Sequence, residues 1–356
     1  MYDNDGGFGY VAACFSSAYA TVCEFFGYKA SRADPDTLTY DEAIASPERA
    51  EWMQAAAEEI AQLEAKDTFE EVPISTATGR ILPGTWAFKR KRRPDGTVKK
   101  FKGRFCVRGD LQEGDVETYA PVVHFGTLRF FLVLALVLGW VTCTLDFANA
   151  FVQAELDSPI FVHLPRGFRS STGEATCLRL RKSLYGLANA PRLWYLHLFK
   201  TLIEDGFKQS KEDECLLYKK DMIVICYVDD LAVAAPNKEL IQQFANRLRD
   251  KGFDLTQDES FSEYLGISIE RDGNNTFTLT QSGLIEKILS ATGLEDCSPN
   301  RVPATQLALA TDPTGEEMSE TWSYPSVIGM LLYLASNTRP DIAFAVSQVA
   351  RFSSAP

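Results

Sequence analysis

The sequence predicts an α+β fold built of several lobes, on three observations. Stretches with strand and helix periodicity alternate without the regular spacing of βαβ units, which argues against a doubly wound parallel sheet. The chain has 356 residues, enough for two or three domains or one multi-lobed unit. Its apolar fraction of 46% and charged fraction of 24% are those of an ordinary globular protein, which excludes global disorder.

The elements follow in order. Residues 1–40 show no clear period. Ser46-Pro47-Glu48 supplies an N-cap, a proline at the first helical position and an early acid, which opens a helix. Trp52, Ala56, Ile60 and Leu63 then recur at helical spacing. Residues 86–92 and 98–107 read as a β-hairpin about the turn Arg93-Pro94-Asp95-Gly96. A buried helix is predicted over 127–138, then a strand over 141–145 ending on Asp146. Residues 130–141 form the longest apolar run, too short for the ~20 residues of a membrane span. Helices are predicted over 193–204 and 241–251, with apolar runs over 222–228 and 231–235 between them. Residues 264–270 and 277–280 read as a second hairpin about Asp272-Gly273-Asn274. A helix over 284–292, a polar and Pro-rich linker over 297–320, and two apolar helices over 324–336 and 340–352 complete the chain.

The start of the chain lacks a basic n-region, which disfavours a signal peptide. Eight cysteines are scattered without a paired C-x-x-C spacing, which suits reduced core thiols in an intracellular protein. The formal net charge of −12 argues at first against a nucleic-acid partner. Its distribution reverses that. Residues 34–71 hold twelve acids against two bases, whereas 89–108 hold ten bases against Asp95 alone. A polyanion responds to the local potential within a Debye length of roughly 10 Å, so the basic segment outweighs the sum. Lys89, Lys91, Lys99 and Lys100 are its candidate nucleic-acid contacts; a solvated face is the competing reading.

Chemistry concentrates in ICYVDDLAVAA (225–235), where two apolar β-rich runs meet at Asp229-Asp230 with no Gly, Asn or Pro to make the turn. Adjacent carboxylates repel, and a divalent cation compensates that repulsion. Taken alone, the pattern reads better as an ordinary acidic turn at a strand edge. TLDFANAF (144–151) changes the weighing: an apolar strand again ends on an aspartate, followed by helix-compatible residues. If the two strands are neighbours, Asp146, Asp229 and Asp230 can hold two Mg2+ ions ~3.5–4 Å apart, the arrangement that drives in-line phosphoryl displacement.

These motifs stand in an ordered series: WAFKRKRRPDG (86–96), KGRFCVRGD (102–110), ETYAPV (117–122), TLR (127–129), TLDFANAF (144–151), LPRGF (164–168), KSLYGLANAPRLWY (182–195), YVDD (227–230), YLGI (264–267) and GMLLYLASNTRPDIAFAV (329–346). In this order, from about residue 43 to 356, the chain resembles the reverse transcriptase domain of copia-type (Pseudoviridae) retrotransposons. The resemblance implies an RNA-directed DNA polymerase of right-hand form, with fingers, an antiparallel-sheet palm, a thumb and the start of a connection region. It leaves 1–40 unassigned, makes 41–135 mainly fingers and 136–275 palm with interleaved fingers elements, and makes 276–320 thumb and linker and 321–356 the start of the connection.

The resemblance also implies roles. Asp146, Asp229 and Asp230 match the catalytic, metal-binding aspartates, with Asp229 the more direct ligand of its pair, and Mg2+ as the cofactor, for which Mn2+ substitutes. Phe151 matches the aromatic gate against a sugar 2′-hydroxyl; on the residues alone it reads as a core aromatic. Lys102 and Arg104, joined by Lys89 and Lys91, match the fingers motif that holds the incoming triphosphate. Tyr185 and Gly186 match the segment lining the nucleotide base and template, while Arg192 and Trp194 read as structural. Implied partners are an RNA template, a DNA primer and deoxynucleoside triphosphates, in the cytoplasm within virus-like particles or in the nucleus, with no membrane. The integrase and ribonuclease H of such polyproteins are expected as partners not encoded here. Ala188-Asn189 departs from the family's usual Lys-Gln, losing a cation near the template path, and Asn149 stands where related polymerases often have Asp. Two other readings compete: a decayed or domesticated fragment that binds nucleic acid without efficient polymerisation, and a metal-dependent nuclease or phosphatase.

Overall fold

A computed structural model describes residues 36–92, 97–170, 173–273, 276–304, 308–310, 315 and 322–353. The turn at 93–96, Asn274, half of the 297–320 linker and residues 1–35 lie outside the described residues. The fold is mixed α+β with largely antiparallel sheets, as the sequence predicts. The chain divides into two compact units. One comprises residues up to Val123 with Leu145–Leu231 and Gln242–Thr256; the other comprises His124–Thr144, Ala232–Ile241 and Gln257–Pro356.

In the first unit Thr39 makes a capping box with Glu42 and starts the helix Tyr40–Ala45. The next helix runs Arg49–Ala65 and has no side-chain cap. The Ser46 cap expected from the sequence is not made: its hydroxyl donates to the Ala43 carbonyl at 2.8 Å and closes the preceding helix instead. Trp52, Ala56, Ile60 and Leu63 are buried as their spacing predicts. They pack on the hairpin of Gly84–Arg92 and Val98–Val107, with the Trp52 ring 5.3 Å from Phe88 and 4.6 Å from Phe101.

A four-stranded sheet, Phe69–Pro73, Thr176–Lys182, Glu155–His163 and Ile81–Leu82, extends this core; its last pair is parallel. A six-stranded sheet has the order Leu255–Asp258, Val141–Phe147, Asp230–Ala235, Met222–Tyr227, Leu216–Lys219, Lys208–Gln209. The two aspartate-bearing strands are therefore neighbours. Both are divided between the units, and Asp146, Asp229 and Asp230 all fall in the first.

The second unit contains the helix Phe125–Leu138, which buries Leu128, Phe131, Leu132 and Ala135. It also holds the sheet Glu263–Tyr264, Ile267–Arg271 and Phe277–Thr280, and the helices Ser282–Thr292, Tyr324–Asn337 and Ala343–Ala350. The helix predicted over 340–352 starts late, because Pro340–Ile342 forms a 3-10 turn. Among the described residues no helix is long and apolar enough to cross a membrane.

Candidate active site

The strand Val141–Phe147 alternates: Cys143, Leu145 and Phe147 are buried while Asp146 between them is exposed. The Phe147 ring packs edge-on against Trp194 at 5.0 Å and Phe253 at 5.5 Å. Its amide donates to the Asp229 carbonyl at 3.0 Å, which ties the end of one strand to the turn of the other.

That turn has no glycine because Val228 takes the left-handed conformation itself, at φ +50°. For an L-residue this costs about 1–2 kcal/mol. The Trp194 indole donates to the Val228 carbonyl at 2.5 Å, and such a bond contributes about 1 kcal/mol, comparable to the strain. Asp229 follows at the turn and Asp230 begins the next strand.

Burial is the main force raising the Asp229 carboxyl above its ordinary 3.8, and the Asp146 carboxylate adds to it; the charges of Arg104 and Lys102 act in the opposite sense. Four groups from three segments therefore share one electrostatic neighbourhood. Among the described residues no three His, Cys, Asp or Glu side chains gather as a metal-ligand group. Asp146 and Asp229 interact electrostatically, and a carboxylate pair opposed by two cations suits a hard divalent ion bound through oxygen.

The helix-compatible residues after Asp146 form no α-helix. Asn149 is left-handed at φ +55° and is followed by a 3-10 turn, Ala150–Gln153. Backbone and side chain pin this loop: the Ala148 amide donates to the Asp254 carbonyl at 2.9 Å, and Gln153 Nε2 donates to the Ala148 carbonyl at 2.9 Å. Lys66 Nζ reaches the Ala148 carbonyl at 3.1 Å and Asp254 Oδ2 at 2.8 Å. Phe151, half-buried, is held with its ring edge-on to Tyr185 at 5.2 Å. The Arg104 guanidinium lies over that same Tyr185 ring at 4.7 Å. Burial pushes the Tyr185 phenol up to about 12 despite Arg104, so it stays protonated and donates to Asn149 Oδ1 at 3.4 Å.

Gly186 belongs to this cluster through its backbone. It sits at φ +88°, and a Cβ there would come within 2.1 Å of the Val107 carbonyl oxygen. The Val107 amide donates to the Tyr185 carbonyl at 2.7 Å and the Gly109 amide to the Gly186 carbonyl at 3.0 Å. The SLYGL segment is thereby sewn onto the strand that carries Lys102 and Arg104. Ala188 and Asn189 continue from it, the Ala188 amide donating to Gln112 Oε1 at 2.7 Å.

Register places Lys89 opposite Lys102, Lys91 opposite Lys100 and Ala87 opposite Arg104. Residues opposite one another share a face, so Lys89, Lys91, Lys100, Lys102 and Arg104 gather on one side while Trp86, Phe88 and Phe105 face the core. Lys99 falls at the irregularity where the register shifts, and alternation does not fix its direction. Arg90 and Arg92 are committed instead to Glu48 and Asp36. Burial first, then Arg104 and Lys91, hold the Lys102 ammonium below its ordinary range. Arg104 Nε is buried without a hydrogen-bond partner among the described residues. Crowded cations of this kind are relieved by an anion.

Two participants escaped the sequence reading. Glu59 is buried beneath the hairpin and accepts the Phe105 amide at 3.4 Å, where it opposes the charges of Arg104 and Lys102. Its position three residues after Ala56, within the apolar stripe, was the available signal. Trp194 was read as structural only, and nothing in its local sequence points to Val228.

A family model described as "Reverse transcriptase (RNA-dependent DNA polymerase)" matches residues 67–306. The retrovirus-related Pol polyprotein from transposon TNT 1-94 of Nicotiana tabacum is 30% identical over 338 residues, covering 91% of this chain and 25% of that protein. The corresponding polyprotein from transposon RE1 of Arabidopsis thaliana is 28% identical over 334 residues, covering 92% and 22%. The chain therefore spans about a quarter of the length of these relatives. A solved foamy viral protease-reverse transcriptase in complex with double-stranded DNA is similar at a TM-score of 0.48 and 14% identity, over 85% of this chain and 44% of that one.

Proposed function

The chain belongs to the reverse transcriptase (RNA-dependent DNA polymerase) family, and on that premise we propose that it copies an RNA template onto a DNA primer by deoxynucleotidyl transfer, as part of a copia-type retrotransposon polyprotein. One observation carries the reading: the Asp229 carboxyl is perturbed by Asp146 on one side and by Lys102 and Arg104 on the other. A carboxylate pair and triphosphate-binding cations within mutual reach are what phosphoryl transfer requires.

Each side chain then has a task. Asp146 and Asp229 hold the cation, with Asp230 beside them. When bound there, a pair of Mg2+ ions, or Mn2+ in their place, would supply the charge that activates the primer 3′-hydroxyl and offsets that of the departing pyrophosphate. Lys102 and Arg104, with Lys89 and Lys91, neutralise the triphosphate and hold it in line. Tyr185 supplies a flat wall for the base, stiffened by Arg104 behind it, and Gly186 keeps that wall against the hairpin. Phe151 closes the space a 2′-hydroxyl would need. Lys99 and Lys100, further along the hairpin, meet the template-primer backbone.

In this reading 41–135 are mainly fingers, 136–275 palm with interleaved fingers elements, 276–320 thumb and linker and 321–356 the start of a connection. The setting is intracellular, in virus-like particles or the nucleus, with the other polyprotein products as partners. Extension of oligo(dT) on poly(rA) with Mg2+ and dTTP tests the proposal. Extension is expected, and binding of the primer-template without extension would favour the domesticated-fragment reading instead.

A further inference from the structure

The left-handed turn at Val228 is held by a single buried donor. Trp194, 1% exposed in the helix Ala190–Glu204, donates its indole N–H to the Val228 carbonyl at 2.5 Å. The same indole packs edge-on against Phe147 at 5.0 Å and Phe253 at 5.9 Å. Phe147 follows Asp146 and Val228 precedes Asp229. One side chain thus touches the neighbours of both members of the aspartate pair, by its ring on one side and its N–H on the other.

Left to themselves, both local forces work against this geometry. Asn, Asp and Gly populate positive φ readily, whereas a β-branched residue there is an outlier that returns to negative φ when released. Asp229 also sits against the like charge of Asp146, which drives the carboxylates apart. A change of φ at Val228 re-aims Asp229, which the Phe147 amide holds only through its carbonyl.

We propose that Trp194 is a positioning residue for nucleotidyl transfer: its indole N–H holds the Val228 carbonyl, keeps that residue left-handed and so sets Asp229 opposite Asp146. Trp194 touches neither substrate nor reacting atoms. The kinetic consequence rests on the polymerase reading; the backbone restraint does not.

The test compares the full chain with Trp194→Phe, which keeps an aromatic ring but loses the donor, and with Trp194→Phe combined with Val228→Asn, which suits the left-handed region. Hydrogen exchange of amides 226–231, the unfolding temperature, and kcat and KM for dTTP on oligo(dT)/poly(rA) are measured. In Trp194→Phe, exchange across 226–231 is expected to rise by about 10-fold over the rest of the chain. The kcat should fall by roughly 10–100-fold, the scale of a small misplacement of a reacting group, with KM nearly unchanged. The double variant should recover both. Exchange that is unchanged at 226–231, or raised equally everywhere, overturns the proposal, as does an unchanged kcat or a double variant that recovers nothing. Should Trp194→Phe not fold, a benzothiophene side chain at 194 keeps the bicyclic shape without the N–H and makes the same comparison. If the unaltered chain does not extend primers, the polymerase reading fails, while exchange still decides the restraint.

Discussion

The amide of Phe147 donates to the carbonyl of Asp229 at 3.0 Å, so the two carboxylates meet through the backbone of the sheet and not through chance side-chain contact. Their proximity then has a cost. Two like charges are held together by main-chain bonds, and on the proposed reading a divalent cation would relieve them.

Asp229→Asn is therefore expected to raise the thermal stability of the metal-free protein at neutral pH. A carboxyl whose pKa is raised on folding favours the folded state below its unfolded value, ordinarily 3.8, and that advantage is lost as pH rises through the folded value. The unfolding temperature gained by the substitution should accordingly be largest at pH 7 and shrink as the pH falls through the carboxylate range. A calorimetric pH series that finds Asp229→Asn less stable than the parent at pH 7 contradicts the assigned cost of burying this carboxylate beside Asp146.

The basic face predicts a salt dependence. Each phosphate contact removed takes about one unit from the slope of log affinity against log salt. Replacing Lys99 and Lys100 together with Ala should flatten the slope for a primer-template by about one to two units. Replacing Arg92, which is committed to Asp36, should change it little. Equal slopes for all three proteins would return the hairpin to a solvated face.

Phe151 is held by the loop that Gln153, Asp254 and Lys66 pin in place. Phe151→Ala should raise incorporation of ribonucleotides relative to deoxyribonucleotides, since on the proposed reading the ring fills the space a 2′-hydroxyl would need. Competition between UTP and dTTP measures this. An unchanged ratio in a folded variant makes Phe151 a core residue.

Gly186→Ala joins two penalties. A left-handed Ala costs about 1–2 kcal/mol, and the added methyl would stand 2.1 Å from the Val107 carbonyl oxygen. The substitution should lower the unfolding temperature and raise KM for dTTP, because Tyr185 and the Lys102–Arg104 strand lose their common anchor. An unaltered melting curve would show that the segment moves aside freely.

Much of this was legible in the residues, for reasons of periodicity. The stripe Trp52, Ala56, Ile60 and Leu63 and the paired strands of the basic hairpin repeat every 3.6 or every 2 residues, and the strands around Asp229-Asp230 read as continuous apolar runs. What escaped depends on partners distant in sequence. Phe69–Pro73 carries Glu70 and Glu71 and becomes a strand only by pairing with Thr176–Lys182. The α-helix expected after Asp146 yields to a left-handed Asn149 whose loop is pinned by Asp254, about a hundred residues on. Glu59 looked like one more polar position until the hairpin covered it.

Primer extension on oligo(dT)/poly(rA) with Mg2+, run side by side for the parent chain, Asp146→Asn and Asp229→Asn, puts the aspartate pair to the most direct test. The parent should add deoxynucleotides, and each variant should lose extension by at least about 1,000-fold, the scale of several kcal/mol of lost transition-state stabilisation. Primer-template affinity should stay within a few-fold of the parent in both variants. Asp229→Asn extending at the parent's rate would contradict the assignment of this pair as the catalytic centre.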